Sequence, residues 1–173
     1  MTGFEMIGGV ARIDDPEIFR TWIDREDFKA AVAAHPSPEI AAVKRLCVDF
    51  EADLARMVCN DTVQDDVVAV MDRYVSADEY VQHDPNAPGD GRDNLIEYFR
   101  NVPTGDGMVP PPVVSVMVDG ELATIMMMMP LPDPAAPGSF YDWYMLTTFR
   151  VRNLKLVEHW TTFRKLPPGM PPM

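Results

Sequence analysis

The pattern of apolar and polar positions divides the chain in two. Between Ser37 and Arg100 apolar residues recur every three or four positions, the period of a helix. From Val113 onward they alternate or run together, as strands do. The clearest helical stripe is Ile40, Val43, Cys47, Phe50, Leu54 and Met57, about six turns long. Ser37 caps it and Pro38 takes the first helical position. The spacing is that of a coiled-coil seam, but three heptads without a charge pattern predict a helix lying on a sheet. Asp65–Tyr74 and Arg92–Arg100 predict two shorter helices, with Val67, Val70, Met71 and Tyr74 inward in the first and Leu95, Ile96, Tyr98 and Phe99 in the second. Between them Asp78–His83 reads as a short strand ended by Pro85, followed by a Pro/Gly loop. Ahead of all this, Asp15-Pro16 opens a helix carrying Ile18, Phe19, Trp22 and Ile23 and continuing to Phe28 and Ala31.

In the second half, Val113–Val118 and Leu122–Met129 form a hairpin at Asp119-Gly120-Glu121. Pro130–Gly138, with four prolines, reads as an irregular loop. Phe140–Arg152 is a long strand, and Lys155–Lys165 pairs back on it through a tight turn at Asn153-Leu154. Helices first and a strand meander second predict an α+β fold, with helices on one face of a curved antiparallel sheet. The chain divides into an N-terminal helical extension (1–36), a main domain (37–166) and a Pro-rich tail (167–173).

Composition narrows the partners. At 173 residues the chain fits one domain with an ordinary core. A net charge of −12 argues against nucleic acid and anionic membrane surfaces, which need clustered Lys and Arg. No apolar run approaches the roughly 20 residues that span a bilayer, and the first residues lack a basic n-region, so the expected compartment is the cytoplasm. Cys47 and Cys59 read as reduced thiols.

Two stretches carry candidate chemistry. In the last strand Val157, His159, Thr161 and Phe163 face one way and Leu156, Glu158 and Trp160 the other. A mid-strand histidine is either a core group satisfied by a hydrogen bond or a site residue. The second stretch is Tyr80-Val81-Gln82-His83-Asp84-Pro85, where Asp84 before proline also suits a turn.

Asp72-Arg73-Tyr74-Val75, Tyr80 to Pro85, Gly91-Arg92 and Tyr98-Phe99 together resemble the "Y…YxQHNP…G…FF" signature of SnoaL-like proteins, within the nuclear transport factor 2-like superfamily. Phe149-Arg150-Val151 and Lys155 to Trp160 are similar to that family's closing "FRV…GKIVEHW" hairpin. The resemblance covers residues 40–165. It implies a cone-shaped α+β barrel, a bent sheet wrapping a pocket that helices close. It further implies acid/base chemistry without metal or organic cofactor, and homo-oligomers (dimers or trimers) formed through the outer sheet face. The chain departs from the pattern at Asp84, where relatives have an amide, and at Thr161 and Thr147, where relatives have aspartate. Two carboxylate bases of relatives are therefore missing.

Carried onto this chain, the resemblance places His83, His159 and Thr161 in the pocket, with Tyr141, Trp143, Met145, Thr147 and Phe149 facing inward on the long strand. The candidate catalytic residues are His83, His159, Asp84 and Tyr80. Two histidines can divide the roles of base and acid, and a tyrosine can steady an oxyanion. The candidate substrate-binding residues are Tyr74, Tyr141, Trp143, Met126, Met128, Thr147, Thr161 and Phe163. No metal site is expected, since three histidines without HxH or HxxxH spacing make a poor ligand set. The expected partner is a hydrophobic or aromatic small molecule, transformed by a lyase (retro-aldol), aldol cyclase or isomerase reaction. The alternative is a non-catalytic ligand-binding or assembly module of the same fold.

Overall fold

A computed structural model describes residues 2–105 and 108–167. The long apolar stripe is helix α3 (Pro38–Cys59). The Ser37 hydroxyl caps it by accepting from the Ile40 N–H at 3.2 Å. Around α3 stand α1 (Ile18–Thr21), α2 (Glu26–Ala33), α4 (Val63–Tyr74) and α5 (Arg92–Arg100). They cover one face of a five-stranded sheet built from β3 (Val81–Gln82), β4 (Val113–Asp119), β5 (Leu122–Pro132), β6 (Phe140–Arg152) and β7 (Lys155–Thr161). The strand order is β3-β7-β6-β5-β4; β3 runs parallel to β7 and the other pairs are antiparallel. The architecture is α+β, as the order of the elements predicts.

Cross-strand partners share a face, so the register sorts the sheet. Ala123↔Phe149, Ile125↔Thr147 and Met127↔Met145 face the helices. Phe149 meets Phe50 of α3 edge-on at 5.7 Å, and Phe50 in turn meets Tyr74 of α4 at 5.5 Å. Thr124↔Thr148, Met126↔Leu146 and Met128↔Tyr144 face outward. Lys155 ties β7 to α4 by donating to the carbonyls of Asp72 and Arg73, which end that helix.

Several expectations change. The first residues form a hairpin, β1 (Phe4–Ile7) and β2 (Val10–Ile13), turning at Gly8-Gly9 with φ of 58° and 86°. Gly-Gly between two alternating runs is the I′ turn signal that the helical reading of residues 1–36 passes over. The expected single helix from Asp15 is two, α1 and α2, separated at Asp24-Arg25. β5 runs on through Pro130 and Pro132, where a loop was expected. Met128 donates its N–H to Pro112 on the β4 side, so the nitrogens of Pro130 and Pro132 point to the edge that β4 has already left. β3 is only two residues long, and β7 ends at Thr161. A bulge between Arg150 and Val151 pairs Val151 with Leu156, which turns Leu156 inward with Val157 rather than outward with Glu158. The Pro-rich tail beyond Pro167 lies outside the described residues.

Residues 2–36 share the main core. Ile18, Trp22, Phe28 and Val32 are buried, and the Trp22 indole donates to the Pro110 carbonyl at 3.1 Å. Phe28, fully buried against α3 and stacked edge-on with Phe4 at 4.9 Å, is the test of this. Phe28→Ala should cost about 3–5 kcal/mol in urea unfolding. A loss under about 1 kcal/mol would show that the segment is detachable from the core.

Candidate functional site

The site forms where β3 meets β7. Two residue pairs make this contact, Val81↔Glu158 and Gln82↔His159. Alternation then decides everything nearby. Gln82 and His159 share the inner face, and His83, one residue on, falls to the outer face with Glu158 and Trp160.

On the inner face Tyr80, Gln82, His159 and Thr147 form one hydrogen-bonded chain. The Asp84 backbone N–H reaches Gln82 Oε1 at 2.9 Å. A backbone N–H can only donate, so this contact fixes the amide orientation. His159 Nδ1, 2.7 Å from the same oxygen, must then carry the hydrogen and donate it. His159 Nε2 is left to accept from the Thr147 hydroxyl at 2.6 Å. Thr147 can instead turn its hydrogen to the Trp160 carbonyl at 3.1 Å, so it suits either charge state of the ring. The ring stacks on Phe149 at 4.8 Å. Burial, with the nearby His83 adding to it, holds the His159 pKa down to about 4, so the imidazole is neutral at physiological pH.

At the other end Gln82 Nε2 donates to the Tyr80 hydroxyl oxygen at 3.1 Å. Tyr80 is buried, and its own hydroxyl hydrogen has no acceptor among the described residues. Burial pushes its ionisation well above the ordinary phenol range; the Gln82 hydrogen bond opposes this, and the charges of Asp84 and Glu51 add to it. The phenol is therefore a neutral donor.

His83 does not join His159. Its Nε2 lies 2.8 Å from Glu158 Oε1, and its ring stacks on Trp160 at 5.2 Å. Glu158 also accepts from Arg150, whose guanidinium lies over the Trp160 ring at 5.6 Å. Two histidines on opposite faces of a sheet cannot share one cavity or one metal ion.

Asp84 is buried and makes the turn expected of an acid before proline, with Oδ1 accepting from the Asn86 backbone at 2.8 Å and side chain at 3.0 Å. Its charge, after burial itself, helps push the Tyr98 phenol up to about 12. Tyr74 is anchored, donating to Asp53 at 2.7 Å.

Thr161 faces inward opposite Thr147, and its hydroxyl accepts from the Phe163 N–H. Tyr141 and Trp143 have the inward parity expected of them but stand beyond the helices, 44% and 37% exposed. Met126 and Met128 fall on the outer face, corrected by one residue: Met127 and Met129 are the inner pair. The N-terminal hairpin approaches Met128 across a hollow of about 250 Å³, also lined by Asp142 and Tyr144. A second hollow, of about 320 Å³, lies between Arg20, Cys59 and Val109, and neither touches His159.

One residue was missed. Glu51 on α3 is half-buried, and burial lifts its carboxyl pKa to about 7. Its charge acts on the Tyr80 phenol and the Cys47 thiol, and it stands between the buried Cys47 and Val48 on α3. Its signal was in the stripe: it stands four residues after Cys47 and three before Leu54, inside the apolar face.

No family model and no curated protein matches the chain. Solved structures do resemble it in fold. TsrD from Streptomyces laurentii is 18% identical over 69% of this chain and 86% of its own, with a TM-score of 0.46. An NTF2-like protein of unknown function from Burkholderia pseudomallei is 13% identical over 68% and 87%, TM-score 0.46. A protein described as a polyketide cyclase from Acidithiobacillus ferrooxidans is 15% identical over 73% and 88%, TM-score 0.44.

A neutral buried histidine has a stability signature. With the folded pKa near 4 and the free value at 6.5, the unfolded chain binds the extra proton first as pH falls. The His159 contribution is complete above pH 6.5 and is lost progressively toward pH 4. Urea unfolding across this window should show the wild type losing stability relative to His159→Gln. Parallel profiles would contradict the neutral ring.

Proposed function

We propose that the protein is a cofactor-independent acid/base enzyme acting on a hydrophobic, aromatic small molecule at the inner face of the sheet. The observation that supports this best is the chain from His159 through Gln82 to Tyr80, which ends in a hydroxyl hydrogen given to nothing. In that role Tyr80 donates to an oxygen that gains charge as a neighbouring C–H or C–C bond breaks. Gln82 holds the phenol, and His159 holds Gln82. The reaction classes this serves are a retro-aldol lyase step, an aldol cyclisation or an isomerisation, each passing through an enolate or phenolate. His159 is a positioning residue here, since both ring nitrogens are occupied and its basicity is low.

The second reading is a ligand-binding module, favoured by the same occupied ring, which a structural histidine would also show. Turnover separates the two. Purified protein should convert members of a panel of aromatic aldols, diarylpropanes and epoxides. Tyr80→Phe should lower kcat by roughly 10² or more with little change in KM. His83→Ala should leave turnover near wild type, because His83 lies outside. No conversion of any panel member, or full activity in Tyr80→Phe, would overturn the reading.

Self-association fits the outer face, where Met117 on β4 and Tyr144 and Leu146 on β6 are exposed on either side of β5. We assign the expected homo-oligomer to this surface. Leu146→Lys should lower the mass measured by light scattering to that of one chain, and an unchanged mass would place the contact elsewhere.

A further inference from the structure

Helix α3 carries four acidic residues whose surroundings differ sharply. Glu39 is bonded to the capping Ser37. Asp49 is paired with Arg45 at 2.7 Å. Asp53 serves Arg56, Arg73 and the Tyr74 hydroxyl. Glu51 alone has no hydrogen bond or ion pair among the described residues.

Its position makes this informative. At about 100° per residue, Cys47 and Leu54 lie on one side of Glu51 and Val48 on the other, with Phe50 further round beyond Leu54. All four are buried. Glu51 therefore sits near the centre of the arc that faces the sheet, where a packing residue would be expected. An unpartnered carboxylate there is costly to burial and adds nothing to the fold. The inner face of the sheet that α3 packs on carries Ile125, Met127, Met145 and Phe149, which are apolar, and the site's Tyr80 phenol is a donor.

We propose that Glu51 is the proton acceptor of this site, acting on a neutral, hydrophobic substrate that bears an acidic C–H next to an oxygen-stabilised centre. The carboxylate takes the proton. The C–H electron pair moves into the substrate, and the oxygen that receives the charge accepts the Tyr80 hydrogen bond. In the return step Glu51 gives the proton back or passes it to the product. This deepens the function proposed above and rests on it. It also restores a base to a chain that has threonine at both places where relatives carry aspartate. An anionic substrate is disfavoured by Glu51 and Asp84 together and by the net charge of −12. Burial tunes the carboxyl toward neutrality, where a base works best. The titratable groups on the surrounding elements are Lys44 and Cys47 on α3, Tyr80, Asp84, Tyr98 on α5 and His159 on β7.

The probe is 5-nitrobenzisoxazole, a neutral aromatic that reports on a general base. Proton loss from its C3 forms a nitrile, the N–O bond breaks, and the phenoxide oxygen released can accept from Tyr80. Wild type should accelerate this reaction, with a rate rising through a midpoint near pH 7. Glu51→Gln should lower the rate roughly 10²-fold or more and remove the midpoint, while Glu51→Asp retains a part of it. In parallel, carboxyl ¹³C NMR of glutamate-labelled protein should show one side chain titrating near pH 7 that disappears in Glu51→Gln. A wild type that accelerates the reaction and a Glu51→Gln that does so equally would overturn Glu51 as base while leaving the acid/base reading intact. A wild type with no activity on either this probe or the aromatic panel would overturn both. A normal glutamate titration near 4.5 throughout would overturn the assignment of Glu51 irrespective of activity.

Discussion

The hydrogen bond from His159 Nδ1 to Gln82 Oε1, 2.7 Å long, is the contact on which the site depends. It joins a strand of two residues to the last strand of the sheet, and the two-residue parallel pairing of β3 with β7 gives it its geometry. The amide, oriented by the Asp84 N–H, selects the imidazole tautomer through this bond and presents its nitrogen to Tyr80. Everything else on the inner face follows from that orientation. Loss of the acceptor would leave His159 with a buried N–H and Tyr80 without its partner, at a cost of about 1–3 kcal/mol for each unsatisfied group.

Much of the fold was legible in the sequence because periodicity reports which face of an element is buried. The stripe from Ile40 to Met57 named α3 and its cap, alternation put His159 and Thr161 on one face of the last strand, and the family resemblance turned that face inward together with Thr147 of the strand before it. What it could not supply was register. Parity along one strand says nothing of where that strand meets its neighbour. The four consecutive methionines illustrate this: only the pairing Met127↔Met145 shows which two face the helices. His83 was misplaced for the same reason, since its side depends on Gln82 lying opposite His159. Tyr141 and Trp143 had the right parity, yet parity does not tell where the helix layer ends.

Glu51 was missed for a different reason. Reading a helix by its apolar positions treats a charged residue within the stripe as an interruption. In a packed core that is a fair simplification, because buried charge is expensive. In a site it discards the residue that matters. Glu51 and His159 are displaced from their ordinary values in opposite senses by one cause, burial: the acid is held toward its neutral form and the imidazole away from its cation. The inner face thus tends to carry little charge near neutral pH, and a hydrophobic substrate would meet groups that are poised rather than solvated.

The ¹⁵N spectrum of the histidine rings tests the central claim most directly. Of three histidines, one should show a protonated Nδ1 and an unprotonated Nε2 at pH 7, and it should stay neutral down to about pH 4. That signal should vanish in His159→Gln. A His159 ring with the proton on Nε2, or one that titrates near its ordinary value of 6.5, would contradict the chain from His159 through Gln82 to Tyr80 and with it the site.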